Sequence, residues 1–359
     1  MSRYLIYVGC YAPESEEGIQ LISLDLHTGE LAYCSGASGV ENPSFLTLSK
    51  DQRFLYAVSE VAEFQGVSGG GVVSFAVSGN GQHLTRLSAQ PTQGDAPCHL
   101  CLDAQEQSLH VANYGGGNVC SYGIAADGTL TEPRSFHQHE GQSANPDRQE
   151  GPHAHMVHVL PDSRHLAVSD LGIDQLRLYR IEPGGALTPL PERSVPVPAG
   201  EGPRHLTFSA SGKTLYLINE LGNTVLVYPM GADGFPEQEF VQLIRTLPEE
   251  FSGESYTADL HVHPNGQFLY GSNRGHNSLV CFRILPDEQL EWVGVEPTGG
   301  HFPRNFALDP SGRWLVVANQ ETGNLLSFAV DGTSGALTRT HELQIRNKPV
   351  CLQFGALLS

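Results

Sequence analysis

At 359 residues, with 40% hydrophobic residues, 40 Gly and 23 Pro, the chain carries apolar material for a large core and turn residues for many short strands. Twenty basic residues against 39 acidic ones leave a net charge of −19, which repels nucleic acid and anionic membrane surfaces, so neither is expected as a partner. The start, MSRYLIYVGC, shows no apolar stretch followed by a small-residue cleavage site, no run reaches the roughly 20 apolar residues of a membrane span, and the seven cysteines are an odd, scattered set; a reduced, cytoplasmic protein is expected.

Taken in chain order, one pattern recurs about every fifty residues: Pro-x-x-apolar-x-apolar, a polar turn, then Leu-apolar-x-apolar-Asn/Ser-x. RYLIYVGCY opens the chain with only the second half of it. Six whole copies follow: NPSFLTLSKDQRFLYAVSE, APCHLCLDAQEQSLHVANY, HAHMVHVLPDSRHLAVSDL, GPRHLTFSASGKTLYLINE, TADLHVHPNGQFLYGSNR and FPRNFALDPSGRWLVVANQ. NKPVCLQF then supplies the missing first half at the C-terminus, so the two ends complete each other. Leu5, Leu55, Leu109, Leu166, Leu215, Leu269 and Leu315 anchor the series at spacings of 50, 54, 57, 49, 54 and 46 residues.

Each copy alternates with period two, a third strand such as NTVLVYPM or NSLVCFRI follows at once, and a weaker fourth, such as FVQLIRTLP, precedes the next copy. Four antiparallel strands repeated seven times predict an all-β fold, a seven-bladed β-propeller, as one domain over residues 1–359, closed by pairing of the N- and C-terminal strands in one blade. A solenoid would need helical stretches and end caps, which the sequence lacks.

In such a blade the first strand lines the channel and the second runs antiparallel beside it, so residues after the motif Pro and after the motif Asn or Ser should reach one mouth. Those positions are Ser44 with Glu60, Cys98 and His99 with Tyr114, His155 with Asp170, Arg204 with Glu220, Asp259 with Arg274, and Arg304 with Gln320. Three arginines, a histidine and a glutamate thus fall on four consecutive blades of a chain with only twenty basic residues. Arg204 and Glu220 are expected side by side. Guanidinium groups grip carboxylate or phosphate at two points, and an imidazole moves protons near neutral pH, so a small anionic substrate is expected.

On these segments, GPHAHM, GPRHLTFSASGKTLYLINEL, TADLHVHPNGQFLYGSNR and FPRNFALDPSGRWLVVANQ, the chain resembles the seven-bladed lactonase family that includes the propeller type of 6-phosphogluconolactonase and the fungal 3-carboxy-cis,cis-muconate lactonizing enzyme. The resemblance covers essentially the whole chain. It implies that His155, Glu220, Arg204 and Arg274 are the catalytic residues, and Arg304 matches a further Pro-Arg segment of the bacterial lactonases; Arg304, His153, His205 and Gln320 are expected to contact substrate. PHAH offers two histidines, and the seven-residue distance to Asp162 favours His155. The expected reaction is hydrolysis of a sugar lactone such as 6-phosphogluconolactone, with His155 or Glu220 as general base. A cycloisomerase closing a muconate-like diacid and a non-catalytic binding platform are the alternatives.

No cofactor is expected, and no metal. The clusters HQHE at 137–140, PHAH at 152–155 and HVH at 261–263 lack zinc-enzyme spacing. Cys98 and Cys101 form a CxxC whose odd separation on a strand sends the thiols to opposite faces. SGGG at 68–71 and GGGN at 115–118 are expected as hairpin turns, and the polar insertion from Phe136 to Gln149 as either a lid or a solvated loop.

Overall fold

The computed structural model describes residues 2–358. Among these, the only helical element is a 3-10 turn, Pro191–Arg193, and no helix is long and apolar enough to cross a membrane. Among the described residues, seven antiparallel sheets form the blades of a seven-bladed β-propeller, and one two-stranded sheet stands beside them. Blade 1 is the shared one: Lys348–Leu358 pairs with Arg3–Tyr11, followed outward by Ile19–Asp25 and Leu31–Ala37. The first and second strands of the others are Leu46–Leu48 and Phe54–Ser59 in blade 2, Pro97–Leu102 and Ser108–Asn113 in blade 3, and Ala154–Val159 and His165–Asp170 in blade 4. Blade 5 begins with Pro203–Phe208 and Thr214–Asn219, blade 6 with Tyr256–Val262 and Phe268–Arg274, and blade 7 with Pro303–Leu308 and Trp314–Asn319.

The chain divides into two compact units. One, residues 2–10, 20–36 and 205–358, holds most of blades 1, 5, 6 and 7; the other, Tyr11–Ile19 and Ala37–Arg204, holds blades 2, 3 and 4. In the first unit Ile6, Val8, Ile22, Trp314 and Val316 form a core between blades 1 and 7, and Phe268, Tyr270, Phe306 and Phe328 one between blades 6 and 7. In the second, Tyr56, Val58, Leu109 and Tyr122 pack between blades 2 and 3.

All seven motif leucines are 0% exposed. Each such burial contributes about 1.5–3 kcal/mol, which explains why the residue recurs. On the third strand the partner of this leucine is aromatic in six blades: Phe75, Tyr122, Tyr179, Tyr228, Phe282 and Phe328. The motif asparagine has an equally local cause. The Nδ2 of Asn113, Asn273 and Asn319 donates to the carbonyls of Thr92, Thr246 and Thr298 at 3.3, 3.1 and 3.1 Å, clipping the exit of one blade's fourth strand to the next blade's second strand.

Three expectations change. Blade 4 has a fifth strand, because proline-rich 189–198 breaks its outer edge into Leu187–Pro189 and Val195–Pro196 on either side of the 3-10 turn. SGGG at 68–71 is not a hairpin turn: the turn lies at Gln65 and Gly66, between short strands Glu63–Phe64 and Val67–Ser68. Gly70 and Gly71 serve close approach instead, since a Cβ on them would lie 2.1 Å from Pro97 and 2.5 Å from Phe64. GGGN does form the turn between Ser108–Asn113 and Asn118–Ile124. The 136–149 insertion begins inside strand Leu130–Gln138 and is pinned at both ends by buried side chains, His139 and Gln149.

Candidate active site

Four of the residues expected at the mouth, Cys98, His155, Asp259 and Arg304, sit on irregularities of the ladder. Pro97 faces Asn113 and His99 faces Ala112, so Cys98 is an extra residue; His155 is likewise extra between Ala154 and Met156, and Arg304 between Pro303 and Asn305. In blade 6 the slip falls between Thr257 and Leu260 and takes in Asp259. Such bulges turn a side chain away from the alternation of its strand, which releases these residues from sheet packing.

In the first unit, Glu220 follows the second strand of blade 5 and Arg274 ends that of blade 6. Arg274 Nη2 lies 2.6 Å from Glu220 Oε2, each side chain is 6% exposed, and the same Nη2 donates to the Thr257 carbonyl at 2.8 Å. The guanidinium carbon stands 5.2 Å from the centre of the Phe302 ring. The Phe302 carbonyl accepts from Gln320 N at 3.0 Å. Gln320, 9% exposed, gives its Nε2 to Glu321 at 2.6 Å, while its buried Oε1 has no protein partner. Arg304 is half-buried.

His205 turns its Nδ1 to Asp259 Oδ1 at 2.8 Å; the other carboxylate oxygen meets His261 Nε2 at 2.9 Å and Asn305 Nδ2 at 2.5 Å. Asn305 in turn accepts from Leu352 N at 2.7 Å, so a polar line joins the first strands of blades 5, 6, 7 and 1. Burial opposes the charge on Asp259, but His261 and His205 outweigh it and hold the carboxyl well below the usual carboxylate range. Burial likewise lowers His261, and Asp259 more than reverses this, raising it above the ordinary imidazole value. Asp259 is a functional candidate that sequence reasoning placed at the mouth without giving it a role; the Asp-x-His spacing of DLH, which puts both side chains on one strand face, was the available signal. Within HVH, His261 serves Asp259 whereas His263 Nε2 meets the Gly312 carbonyl at 2.7 Å, so the two are committed to different partners.

In the second unit the two histidines of PHAH diverge. His155, 4% exposed, meets Cys98 (Sγ to Nδ1 3.9 Å, Sγ to its carbonyl 3.2 Å) and the edge of Tyr114. His153 stacks on Tyr114 with centroids 4.5 Å apart, and its Nε2 lies 3.3 Å from Glu150. The segment is fixed from behind by Asp170, which accepts from His153 N at 2.7 Å and from His139 at 2.5 Å; His139 in turn meets the Tyr179 hydroxyl at 2.7 Å. Arg204 is 2% exposed, and its carbonyl accepts from Ser169 Oγ at 2.5 Å. The expected pair of Ser44 and Glu60 is in hydrogen-bond contact, with the Tyr11 hydroxyl 3.0 Å from both carboxylate oxygens.

Seven antiparallel blades, with carboxylate, guanidinium and imidazole side chains on or beside ladder bulges, make the chain a β-propeller. The chain belongs to the lactonase family of seven-bladed β-propellers, whose family model matches residues 5–354. It is 34% identical to a 6-phosphogluconolactonase of Bacillus subtilis (strain 168) across 99% of both chains, and 30% identical to one of Serratia proteamaculans (strain 568) across 97% of this chain and 98% of that. Among solved structures it is similar to the periplasmic gluconolactonase of Pseudomonas aeruginosa, with TM-score 0.93 and 33% identity over 99% of this chain and 100% of that one.

Proposed function

We propose that this lactonase-family protein hydrolyses a phosphorylated sugar lactone, 6-phosphoglucono-1,5-lactone, to 6-phosphogluconate, and so serves glucose metabolism through the pentose phosphate pathway in the cytoplasm. The observation that carries the proposal is the buried Glu220–Arg274 pair, with half-buried Arg304 on the first strand of the next blade, in a chain whose relatives include proteins named 6-phosphogluconolactonase. Seven free thiols accord with a reducing compartment.

In the proposed reaction Glu220 or His155 takes a proton from water as its oxygen attacks the lactone carbonyl carbon. Charge then moves onto the carbonyl oxygen, where a fixed guanidinium lowers the barrier because it is oriented before the reaction starts. Collapse of the tetrahedral intermediate breaks the bond to the ring oxygen, which receives the proton. Arg304 holds the phosphate through charge-assisted hydrogen bonds.

The test compares initial rates on 6-phosphogluconolactone and on glucono-1,5-lactone, each corrected for spontaneous opening. A preference of about 10- to 100-fold for the phosphorylated lactone is expected, the worth of one charge-assisted contact. Rates no higher than spontaneous on both lactones overturn the proposal.

A further inference from the structure

Within the second unit, the third strand of blade 4, Gln175–Ile181, carries a charge where its counterparts do not. Tyr179 lies opposite the motif leucine Leu166, and Arg177 stands two residues before it. The same position in five other blades holds Val73, Cys120, Leu226, Val280 and Leu326, all buried and apolar. Cys120, Val280 and Leu326 belong to cores shared with the preceding blade. Arg177 reaches the same way: its Nη2 donates to the Glu140 carbonyl, just past the last strand of blade 3, at 3.5 Å.

The ladder is interrupted beside it. Tyr179 pairs with Pro189 and Leu176 with Val195, while residues 190–194 leave the edge around the 3-10 turn. The prolines at 189, 191 and 196 cannot supply ladder donors. In blades 6 and 7 the third strand is paired along its whole length.

The interruption opens a cavity of about 320 Å³ between blades 3 and 4, at the small end of the roughly 300–1,000 Å³ of small-molecule sites. Phe136, Leu178, Leu190 and Pro191 give it apolar walls. Two of its polar groups are unsatisfied: Arg177 Nε and Ser194 Oγ are buried and have no hydrogen-bond partner. Among the described residues no carboxylate pairs with Arg177 either. A buried charged donor without an acceptor is costly, and such a group calls for an occupant. Nε and Nη2 form one edge of the guanidinium, the fork that fits a carboxylate or phosphate.

We propose that this cavity is a second binding site, for a small organic acid. Its carboxylate or phosphate accepts from the Nε–Nη2 edge of Arg177 and from the Ser194 hydroxyl, and its body rests on the apolar walls. The site is independent of the lactonase reading, since neither residue belongs to the candidate active site.

Titration calorimetry in buffer free of carboxylate and phosphate tests it with benzoate and phenyl phosphate, which share a body and differ in the oxyanion. One of them should bind the wild type with a Kd at or below about 1 mM, and the stronger identifies the headgroup. Arg177→Lys keeps the charge without the fork and should weaken binding about tenfold. Arg177→Leu installs the residue used in blades 5 and 7; it should melt at or above the wild-type temperature and lose the binding. Arg304→Ala should retain the binding, which separates it from the candidate active site. No binding of either probe, or unchanged affinity in Arg177→Leu, overturns the proposal. Should that variant fail to fold, wild-type affinity in both Arg177→Lys and Ser194→Ala overturns it instead.

Discussion

Glu220 presents its carboxylate to Arg274 at 2.6 Å with both side chains 6% exposed, so two opposite charges have left water together. Removing either one alone takes from the other its buried ionic partner. Glu220→Gln is therefore expected to destabilise the protein by about 3–5 kcal/mol and Arg274→Gln by a similar amount. The double variant should cost much less than their sum, a coupling that denaturant titration of the four proteins measures. Additive losses would show that the pair is not a unit.

His155 and Arg304 should fail in different ways. Changing His155 to Gln removes a proton carrier without adding charge, so kcat is expected to fall about 10²–10⁴-fold with folding unchanged. Arg304→Ala should raise KM for an anionic substrate and leave kcat near its starting value, as befits an interaction made equally in ground and transition states. Steady-state kinetics separates the two. Near-wild-type kcat in both His155→Gln and Glu220→Gln would remove the acid–base site and favour a binding platform.

His110 gives a pH dependence whose sign is fixed. Burial pushes its imidazole down to about 4, with Asp103 acting in the opposite direction. The unfolded chain, with an ordinary imidazole near 6.5, then binds the extra proton in that interval. The stabilisation is whole above about pH 6.5 and is lost as pH falls towards 4, by roughly 3 kcal/mol. His158 is lowered by burial too and adds to the slope. Chemical denaturation between pH 7 and 4 should show a shallower decline for His110→Gln than for the wild type; equal slopes would refute the assignment.

Deleting residues 347–359 removes Val350, Cys351 and Leu352, all buried, and leaves Arg3–Tyr11 with an unpaired edge. The thermal midpoint should drop by more than about 10 °C, or the cooperative transition should disappear. Leu352→Ala supplies a milder version, expected to cost about 2–4 kcal/mol. A truncated protein melting with the intact one would contradict the role of the shared blade.

The blade count, the split repeat and the mouth positions were legible because each rests on local alternation: Leu55 or Leu315 is buried for reasons contained in a dozen neighbouring residues. The bulges were not, since alternation says where a strand lies but not where its register slips, and His155 and Arg304 owe their release from the ladder to such slips. Asp259 received no role because its partners His205 and Asn305 lie 54 and 46 residues away on neighbouring blades, whose register no single repeat contains. The SGGG segment misled because glycine marks both turns and close approach, and only the packing of Pro97 and Phe64 tells which.

The shared blade also sets a timetable for synthesis. Gln20 Nε2 reaches the carbonyl of Arg346 at 2.5 Å, across 326 residues, and the strand opening the chain pairs with the strand closing it. At ribosomal speeds of about 5–20 residues per second, Arg3–Tyr11 waits roughly 20 to 70 s after emerging before its partner exists. Throughout that interval a long apolar strand, its sequence RYLIYVGCY, offers an open edge to any other nascent chain on the same message. The clasp that seals the finished molecule is therefore its exposure to misassembly during birth, and conditions that slow translation near the 3′ end should lower the yield of folded protein more than the same delay placed upstream of residue 3's emergence.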